Sequence, residues 1–100
     1  MHDEIKLTLH SFRCGTDKEA ALKPLEEAAE VYAAWQSVDH GWRPEGFNGD
    51  VFGSVLMGRL ECEIADCIQA CVNLADRYGI DLGEAIGIVE QSNRERGRYD

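Results

Sequence analysis

The chain has 100 residues, of which 44% are hydrophobic and 29% charged, and its formal net charge is −9. This length accommodates one domain with one core, and the composition is that of a folding chain without tracts of Pro, Ser or Gln. We therefore expect a single helical domain over residues 1–100. The negative charge argues against a nucleic-acid partner, because contact with a phosphate backbone requires clustered Lys and Arg.

The segment "IKLTLH" near the start alternates apolar and polar residues, which predicts a short strand or an extended arm. No run of about 18 apolar residues and no signal peptide is found, so we expect no membrane partner and a cytoplasmic location.

The four cysteines lack C-x2-C spacing, and we expect them to pack in the core rather than to bind zinc or form disulfides. They are Cys14, Cys62, Cys67 and Cys71.

The first helix is predicted from a capping box and a following apolar stripe. Thr16 and Glu19 fit the capping box, whereas Pro24 interrupts a helix interior. We therefore expect a short helical turn after Thr16 and then the main helix from about Lys23 to Ser37. Apolar residues at three- and four-residue spacing predict the face turned to the core. These residues are Leu25, Ala28, Ala29, Tyr32 and Trp35.

Residues 39–58 are rich in glycine and aromatic residues and predict a loop whose last third continues into a helix. The segment that follows carries the longest apolar stripe of the chain and predicts a second helix that ends at Gly79. We expect this stripe to face the core. Its members are Leu60, Ile64, Cys67, Ile68, Cys71, Leu74, Ala75 and Tyr78.

A third helix is predicted after Asp81, where "DLGE" repeats the capping-box pattern. Its expected inward residues are Leu82, Ala85, Ile86 and Val89. It ends in "NRERGR", where the positive charge of the chain is concentrated. Together these segments predict an all-α fold, a small antiparallel helical bundle, and a chain this short exposes enough apolar surface to favour self-association.

Two of the predicted helices carry paired acids on the face opposite the apolar stripe. Glu27 and Glu30 are three residues apart on the first helix, and Glu63 and Asp66 are three apart on the second. Each pair therefore shares one helix face. Four carboxylates on facing helices are hard oxygen ligands that suit Mg2+ or Mn2+. The opposing interpretation is that these acids are solvated and only keep the helices soluble.

Small residues accompany both acid pairs. Ala34 lies on the polar face of the first helix and Ala70 on that of the second, and both would let two helices approach closely. Asn73 shares the face of Glu63 and Asp66, where it either contacts a ligand or bonds to a neighbouring side chain. A di-iron site fits less well, because neither acid pair is followed by a histidine at Glu-x-x-His spacing.

The ordered motifs "EEAAE" at residues 26–30 and "EIAD" at 63–66, followed by "ADRYGIDLGEAI" and "NRERGR", resemble the MazG-like all-α nucleoside triphosphate pyrophosphohydrolases. The likeness covers most of the chain from Leu25 to Arg98, although the segment between the two motifs is longer than usual in that family. The resemblance implies the MazG-like fold in a homodimer or homotetramer. It also implies a Mg2+-dependent enzyme, with Mn2+ as a substitute, that cleaves an NTP or dNTP to the monophosphate and pyrophosphate.

The resemblance further implies roles for individual residues. The metal ligands would be Glu27, Glu30, Glu63 and Asp66. Either Glu26 or Glu27 is expected to accept the proton of the attacking water. Asn93 and Arg96 are expected to bind the phosphate groups of the substrate. Trp42 is chosen from its own position rather than from the resemblance: it lies in the loop beside Arg43, and we expect its flat ring to stack on the base.

A catalytically inactive helical oligomerisation or interaction module with solvated acidic faces is the alternative from another functional class. The complete order of four acids favours the enzyme, because a degenerate relative is expected to have lost at least one of them. A metal site also predicts that Mg2+ raises the melting temperature, whereas a solvated face predicts almost no change.

Overall fold

Three α-helices make up the regular secondary structure in the computed structural model, which describes residues 3–40 and 49–100. Helix α1 is Asp17–Asp39, α2 is Gly49–Arg77 and α3 is Leu82–Glu95. No strand occurs within these two ranges, which confirms the all-α class, and residues 3–14 form an arm without helix or strand. None of the described helices combines the length and the apolar character needed to cross a bilayer.

Helix α1 is continuous, so the interruption predicted at Pro24 is wrong. The hydroxyl of Thr16 accepts a hydrogen bond from the Glu19 N–H at 3.2 Å, and the Glu19 carboxylate accepts one from the Thr16 N–H at 3.2 Å. This capping box satisfies two donors at the start of the helix. Pro24 removes one N–H from the ladder, which leaves the Ala20 carbonyl without its helical partner. The helix continues because the capped first turn and the packed α2 hold the backbone on both sides of the proline.

Helices α1 and α2 pack along each other as an antiparallel hairpin. Arg77, at the end of α2, forms an ion pair with Asp17 at the start of α1. Further along, the thiol of Cys67 in α2 donates to the Pro24 carbonyl of α1 at 3.9 Å. The pairing of late residues of one helix with early residues of the other fixes the antiparallel direction.

The faces of α1 and α2 that meet combine acidic, small and apolar side chains, since Glu27, Leu56 and Ala75 are all buried. The predicted apolar face of α1 turns outwards. Ala34 is fully buried and Ala70 is 5% exposed, which confirms that these small residues permit close approach. The expectation that the apolar stripes face inward is wrong for the α1 stripe and for half of the α2 stripe in the single chain. It holds for the other half of the α2 stripe, which is buried or half-buried and consists of Leu60, Cys67, Leu74 and Ala75. The exposed members are Leu25, Ala28, Ala29, Tyr32, Trp35, Ile64, Ile68, Cys71 and Tyr78.

Trp35, expected in the core, stacks on Tyr32 with the ring centroids 5.7 Å apart, and the two residues are 45% and 58% exposed. Core packing is also wrong for most of the cysteines. The exposed ones are Cys14, Cys62 and Cys71. These side chains remain exposed because the one extensive helix contact among the described residues, between α1 and α2, uses the opposite faces.

Helix α3 stands apart from the hairpin. Asp81 caps its start by accepting a hydrogen bond from the Glu84 N–H at 3.0 Å, and Gly97, with φ of 70°, follows its end. Over the described part of the chain α3 has almost no contact with α1 or α2, and the predicted inward residues Ile86 and Val89 are 52% and 58% exposed. The Cα radius of gyration is accordingly 17.0 Å, against about 13 Å for a compact chain of this length.

Candidate metal centre and its cleft

Three carboxylates meet where α1 packs against α2. Glu27 of α1 and Glu63 and Asp66 of α2 each offer an oxygen, and these oxygens lie within 4.8 Å of one another. Glu63 and Asp66 share one face of α2 because they are three residues apart, and the antiparallel packing places that face against Glu27. The structure therefore brings together three of the four predicted metal ligands, which we call the acid cluster.

Glu30, the fourth predicted ligand, lies about one helical turn after Glu27 on α1. Its side chain is exposed, and it is not a member of the acid cluster. Its charge is nevertheless close enough to contribute, as the smallest cause, to the raised pKa of Lys23. The assignment of Glu30 as a ligand stays a prediction, which requires its exposed side chain to turn towards the cluster.

Two oxygens of the acid cluster, Oε2 of Glu27 and Oε2 of Glu63, are buried and have no hydrogen-bond partner among the residues that the structure describes. Glu27 as a whole is only 8% exposed. A buried anionic oxygen without a donor is unfavourable, and carboxylates this close repel one another by about 1–3 kcal/mol per pair. A divalent cation would remove both costs, because carboxylate oxygens are the ligands that Mg2+ and Mn2+ prefer.

Lys23 is the positively charged side chain that lies beside the acid cluster. Its Nζ is 3.3 Å from Glu27 Oε1 and 3.7 Å from Glu26 Oε2. The hydrogen bond to Glu27 and the charge of that carboxylate raise the pKa of Lys23 above its ordinary value. The sequence motifs gave Lys23 no role at the site. Its position four residues before Glu27 could have predicted their contact, because residues at this spacing are neighbours on a helix surface.

A cleft of about 450 Å³ opens beside the acid cluster, between α1, α2 and the N-terminal arm. Glu26, Glu27, Asp66 and Lys23 line the end near the cluster. The remainder of the cleft is lined by both helices and the arm. Its residues there include Phe12, Gly15, Gln69, Asn73 and Arg77. A ligand in the cleft can therefore contact the acids at one end and the arm at the other.

The arm is fixed to α2 by side chains that bond to its backbone. The Phe12 N–H donates to Asn73 Oδ1 at 3.0 Å, and Gln69 Nε2 donates to the His10 carbonyl at 2.9 Å. Of the two roles open to Asn73, bonding to a neighbour is thus observed. No sequence pattern could have predicted these contacts, since the groups contacted belong to the backbone and are common to every residue.

Arg77 holds the junction between the arm and α1. Its Nη2 donates to the Gly15 carbonyl at 2.8 Å, and its Nε bonds to Asp17. Gly15 has φ of 77°, a left-handed conformation that favours glycine. A Cβ at that position would lie 3.0 Å from Oε2 of Glu19, the residue that closes the capping box. The turn at Gly15 therefore directs the arm from the start of α1 onto α2.

The substrate-binding residues predicted on the third helix do not line this cleft. Asn93 donates from Nδ2 to the Tyr99 hydroxyl at 3.1 Å and accepts at Oδ1 from Arg98 at 3.0 Å. Arg96 is exposed at the C-cap of α3. Trp42, predicted to stack on the base, lies outside the described residues. The roles of Asn93, Arg96 and Trp42 stay predictions.

Cys67, next to Asp66 in sequence, is held in its thiol form. Burial raises the pKa of the thiol, with smaller contributions from the charges of Cys71 and Glu27. The protonated sulfur then donates to the Pro24 carbonyl at 3.9 Å. Because the thiolate is the nucleophilic form of cysteine, Cys67 stabilises the hairpin contact and is unsuited to nucleophilic attack.

Comparison of the chain with protein-family models, with curated proteins and with solved structures gave no match. The acid cluster offers a set of hard oxygen donors at the end of an open cleft. Such a set can hold a divalent cation, and a bound cation lets an anionic ligand approach carboxylates that would otherwise repel it.

Proposed function

We propose that the chain is a Mg2+-dependent nucleoside triphosphate pyrophosphohydrolase that converts an NTP or dNTP to the monophosphate and pyrophosphate. The observation that carries the proposal is the pair of buried, unpartnered oxygens, Glu27 Oε2 and Glu63 Oε2, in an acid cluster beside a cleft. The resemblance of the two acidic motifs to the MazG-like enzymes supplies the reaction class. A cytoplasmic location, where such nucleotides occur, belongs to the same proposal.

Glu27, Glu63 and Asp66 would hold Mg2+, with Mn2+ as a substitute, and Glu30 would turn in to join them. When bound, the cation lowers the pKa of a coordinated water, polarises the α-phosphoryl group and neutralises charge on the leaving pyrophosphate. The chain holds the Glu27 carboxylate in place, because Glu27 is 8% exposed and its other oxygen is paired with Lys23 at 3.3 Å. A positioned donor set reduces the reorganisation needed during the reaction.

We assign Glu26 as the general base, the carboxylate that accepts the proton of the attacking water. It lines the cleft with a side chain that is 62% exposed and lies outside the acid cluster, whereas Glu27, the other predicted base, is one of the carboxylates that would hold the cation. The water oxygen bonds to the α-phosphorus while its proton passes to the carboxylate. The bond from that phosphorus to the α,β-bridging oxygen breaks, and pyrophosphate leaves with the electron pair.

The proposal is tested by measuring pyrophosphate release from a panel of ribo- and deoxyribonucleoside triphosphates in Mg2+ and in EDTA. We expect release from at least one nucleotide in Mg2+ and none in EDTA, because the bare acid cluster repels the triphosphate. If a folded chain that Mg2+ stabilises released pyrophosphate from no nucleotide, the proposal would be contradicted. The inactive helical module would then be the better description.

Self-association into a homodimer or homotetramer is part of the proposal. Leu25 on α1 and Ile88 on α3 are 70% and 66% exposed, and burying such side chains between copies contributes roughly 25 cal/mol per Å². In this assembly Asn93 and Arg96, which do not line the cleft of their own chain, are assigned to the cleft of a neighbouring copy.

We expect sedimentation equilibrium to give a mass of at least twice the 11.2 kDa of one chain. Leu25→Asp should shift the population towards the single chain, since it places a charge on the outward apolar face of α1. A wild-type chain that sediments as one 11.2 kDa species at micromolar concentration would contradict the assembly.

A further inference from the structure

We infer that the end of the cleft away from the acid cluster is the subsite for the nucleobase, with the ring of Phe12 as the stacking surface and the amides of Gln69 and Asn73 as its polar contacts. The inference rests on the proposed function, because it takes the ligand to be a nucleotide whose phosphates lie at the acid cluster. It assigns a role to the N-terminal arm, which the sequence left without one.

Phe12 lies at a suitable distance from the acids. Its N–H bonds to Asn73, and Asn73 follows Asp66 by seven residues, which is about 10 Å along the axis of α2. Phe12 and Asp66 line the same cleft. A substrate with its phosphates at the acid cluster would therefore extend along this cleft towards Phe12.

The ring of Phe12 is available for stacking. Phe12 lines the cleft and is 58% exposed. A flat apolar ring in this position gains by covering its face with another aromatic system. Stacking on a base tolerates any base, because every base has a π-face. The ring therefore provides affinity for nucleosides in general.

Gln69 and Asn73 each retain an unused hydrogen-bonding group. Gln69 Nε2 donates to the His10 carbonyl at 2.9 Å and to Asn73 Oδ1 at 2.8 Å, which uses both of its N–H groups. Asn73 Oδ1 also accepts from the Phe12 N–H. Within residues 3–40 and 49–100, no partner is found for Gln69 Oε1 or Asn73 Nδ2. These two groups, one acceptor and one donor, are of the kinds that bond to the donor and acceptor groups at a base edge.

The arm that carries Phe12 is held in place before any ligand binds. Arg77 bonds to the Gly15 carbonyl and to Asp17, so its guanidinium is engaged in positioning the arm. A wall that is already ordered costs little conformational entropy when the ligand arrives. Arg77 is therefore a positioning residue for this subsite.

The test compares Phe12→Ala and Phe12→Tyr with the control Ile5→Ala, all in the full chain. Ile5 is an arm residue that is 77% exposed and does not line the cleft. In Mg2+ we expect Phe12→Ala to raise KM for nucleoside triphosphates about 10-fold and to leave kcat within about twofold, because stacking contributes to binding of the base. Phe12→Tyr keeps the ring and should keep the wild-type KM, as should Ile5→Ala.

Inorganic tripolyphosphate provides a probe that has the phosphate chain but no base. Its Kd for the Mg2+-loaded chain, measured by calorimetry, should be the same for wild type and Phe12→Ala. An equal weakening of tripolyphosphate and nucleotide would overturn the base subsite, since the loss would then lie in phosphate binding or folding.

Two further outcomes separate this inference from the proposed function. If the wild type is active and Phe12→Ala has the same KM as Ile5→Ala, the base subsite is wrong and the proposed function stands. If the wild type releases no pyrophosphate from any nucleotide, the proposed function is wrong and the base subsite is wrong with it.

Discussion

Replacing Glu63 with glutamine should raise the melting temperature of the metal-free chain and abolish the stabilisation that Mg2+ gives the wild type. In EDTA the substitution removes one of three charges that lie within 4.8 Å of one another, and one of the two buried carboxylate oxygens that lack a partner. The expected gain is about 1 kcal/mol, which corresponds to about 4–8 °C for a domain of up to 100 residues.

In Mg2+ the order of the two proteins should reverse. The wild type gains about 2.7 kcal/mol when the cation is present at 100 times its Kd, whereas the variant has lost a ligand. Thermal melts in EDTA and in Mg2+ at matched ionic strength measure both effects, because screening of surface charges is then the same. The variant should be the more stable protein without the metal and the less stable one with it.

Glu61→Gln is the matched control for this experiment. Glu61 is exposed on the same helix, lies outside the acid cluster, and its substitution changes the net charge of −9 by the same single unit. Its melting temperature should follow that of the wild type in both buffers. If Glu63→Gln behaved as Glu61→Gln does, the acid cluster would be a solvated group of carboxylates and the metal centre would be wrong.

Glu27→Gln should lower the rate of Mg2+-dependent pyrophosphate release by about 100-fold or more, because a buried ligand of the cation is lost. Glu27 is the most buried of the acids, with 8% exposure, and α1 contributes no other member of the acid cluster. Glu30→Gln should lower the rate by about 10-fold or more. Initial rates at saturating nucleotide, with Glu61→Gln as the control, provide the measurement.

The Glu30→Gln variant tests whether the cation is bound by the three acids that the structure brings together or by all four acids of the sequence motifs. In EDTA it should melt as the wild type does, because Glu30 adds no charge to the acid cluster itself. A wild-type rate for Glu30→Gln would remove that residue from the ligand set. A wild-type rate for Glu27→Gln would show that the chemistry takes place elsewhere.

The meeting of the acids could be predicted because it depends on helix geometry and residue size. Spacing of three residues puts Glu63 and Asp66 on one face, and the small side chains of Ala34 and Ala70 let the two acidic faces approach. The position of the Glu30 side chain could not be predicted in this way. Spacing fixes the direction of the Cβ atom but leaves the rotamer of an exposed glutamate open.

The sequence did not reveal which faces the single chain buries. Periodicity identifies an apolar face, but it does not say whether the same chain or another molecule covers that face. Leu25 and Trp35 were expected in the core and are 70% and 45% exposed. The hairpin contact can bury only one face of each helix, and the face that carries the small alanines allows the closer packing.

The path of the arm could not be predicted from the sequence either. It depends on side chains of Gln69, Asn73 and Arg77 that bond to the arm, mostly at backbone groups, and on the turn at Gly15. The alternation of "IKLTLH" left a strand or an arm open, and it gave no indication of the surface against which the arm lies. Phe12 was missed for this reason.

Helix α3 has 14 residues, close to the length at which an isolated helix is marginal in water. Its stability comes mainly from its own backbone and from the Asp81 cap, because the described part of the hairpin scarcely touches it. The hairpin and α3 are therefore separate cooperative units, and amide protons of α3 exchange with solvent through local opening while the hairpin stays folded. Association of copies through α3 would couple its folding to protein concentration, so dilution would melt α3 first.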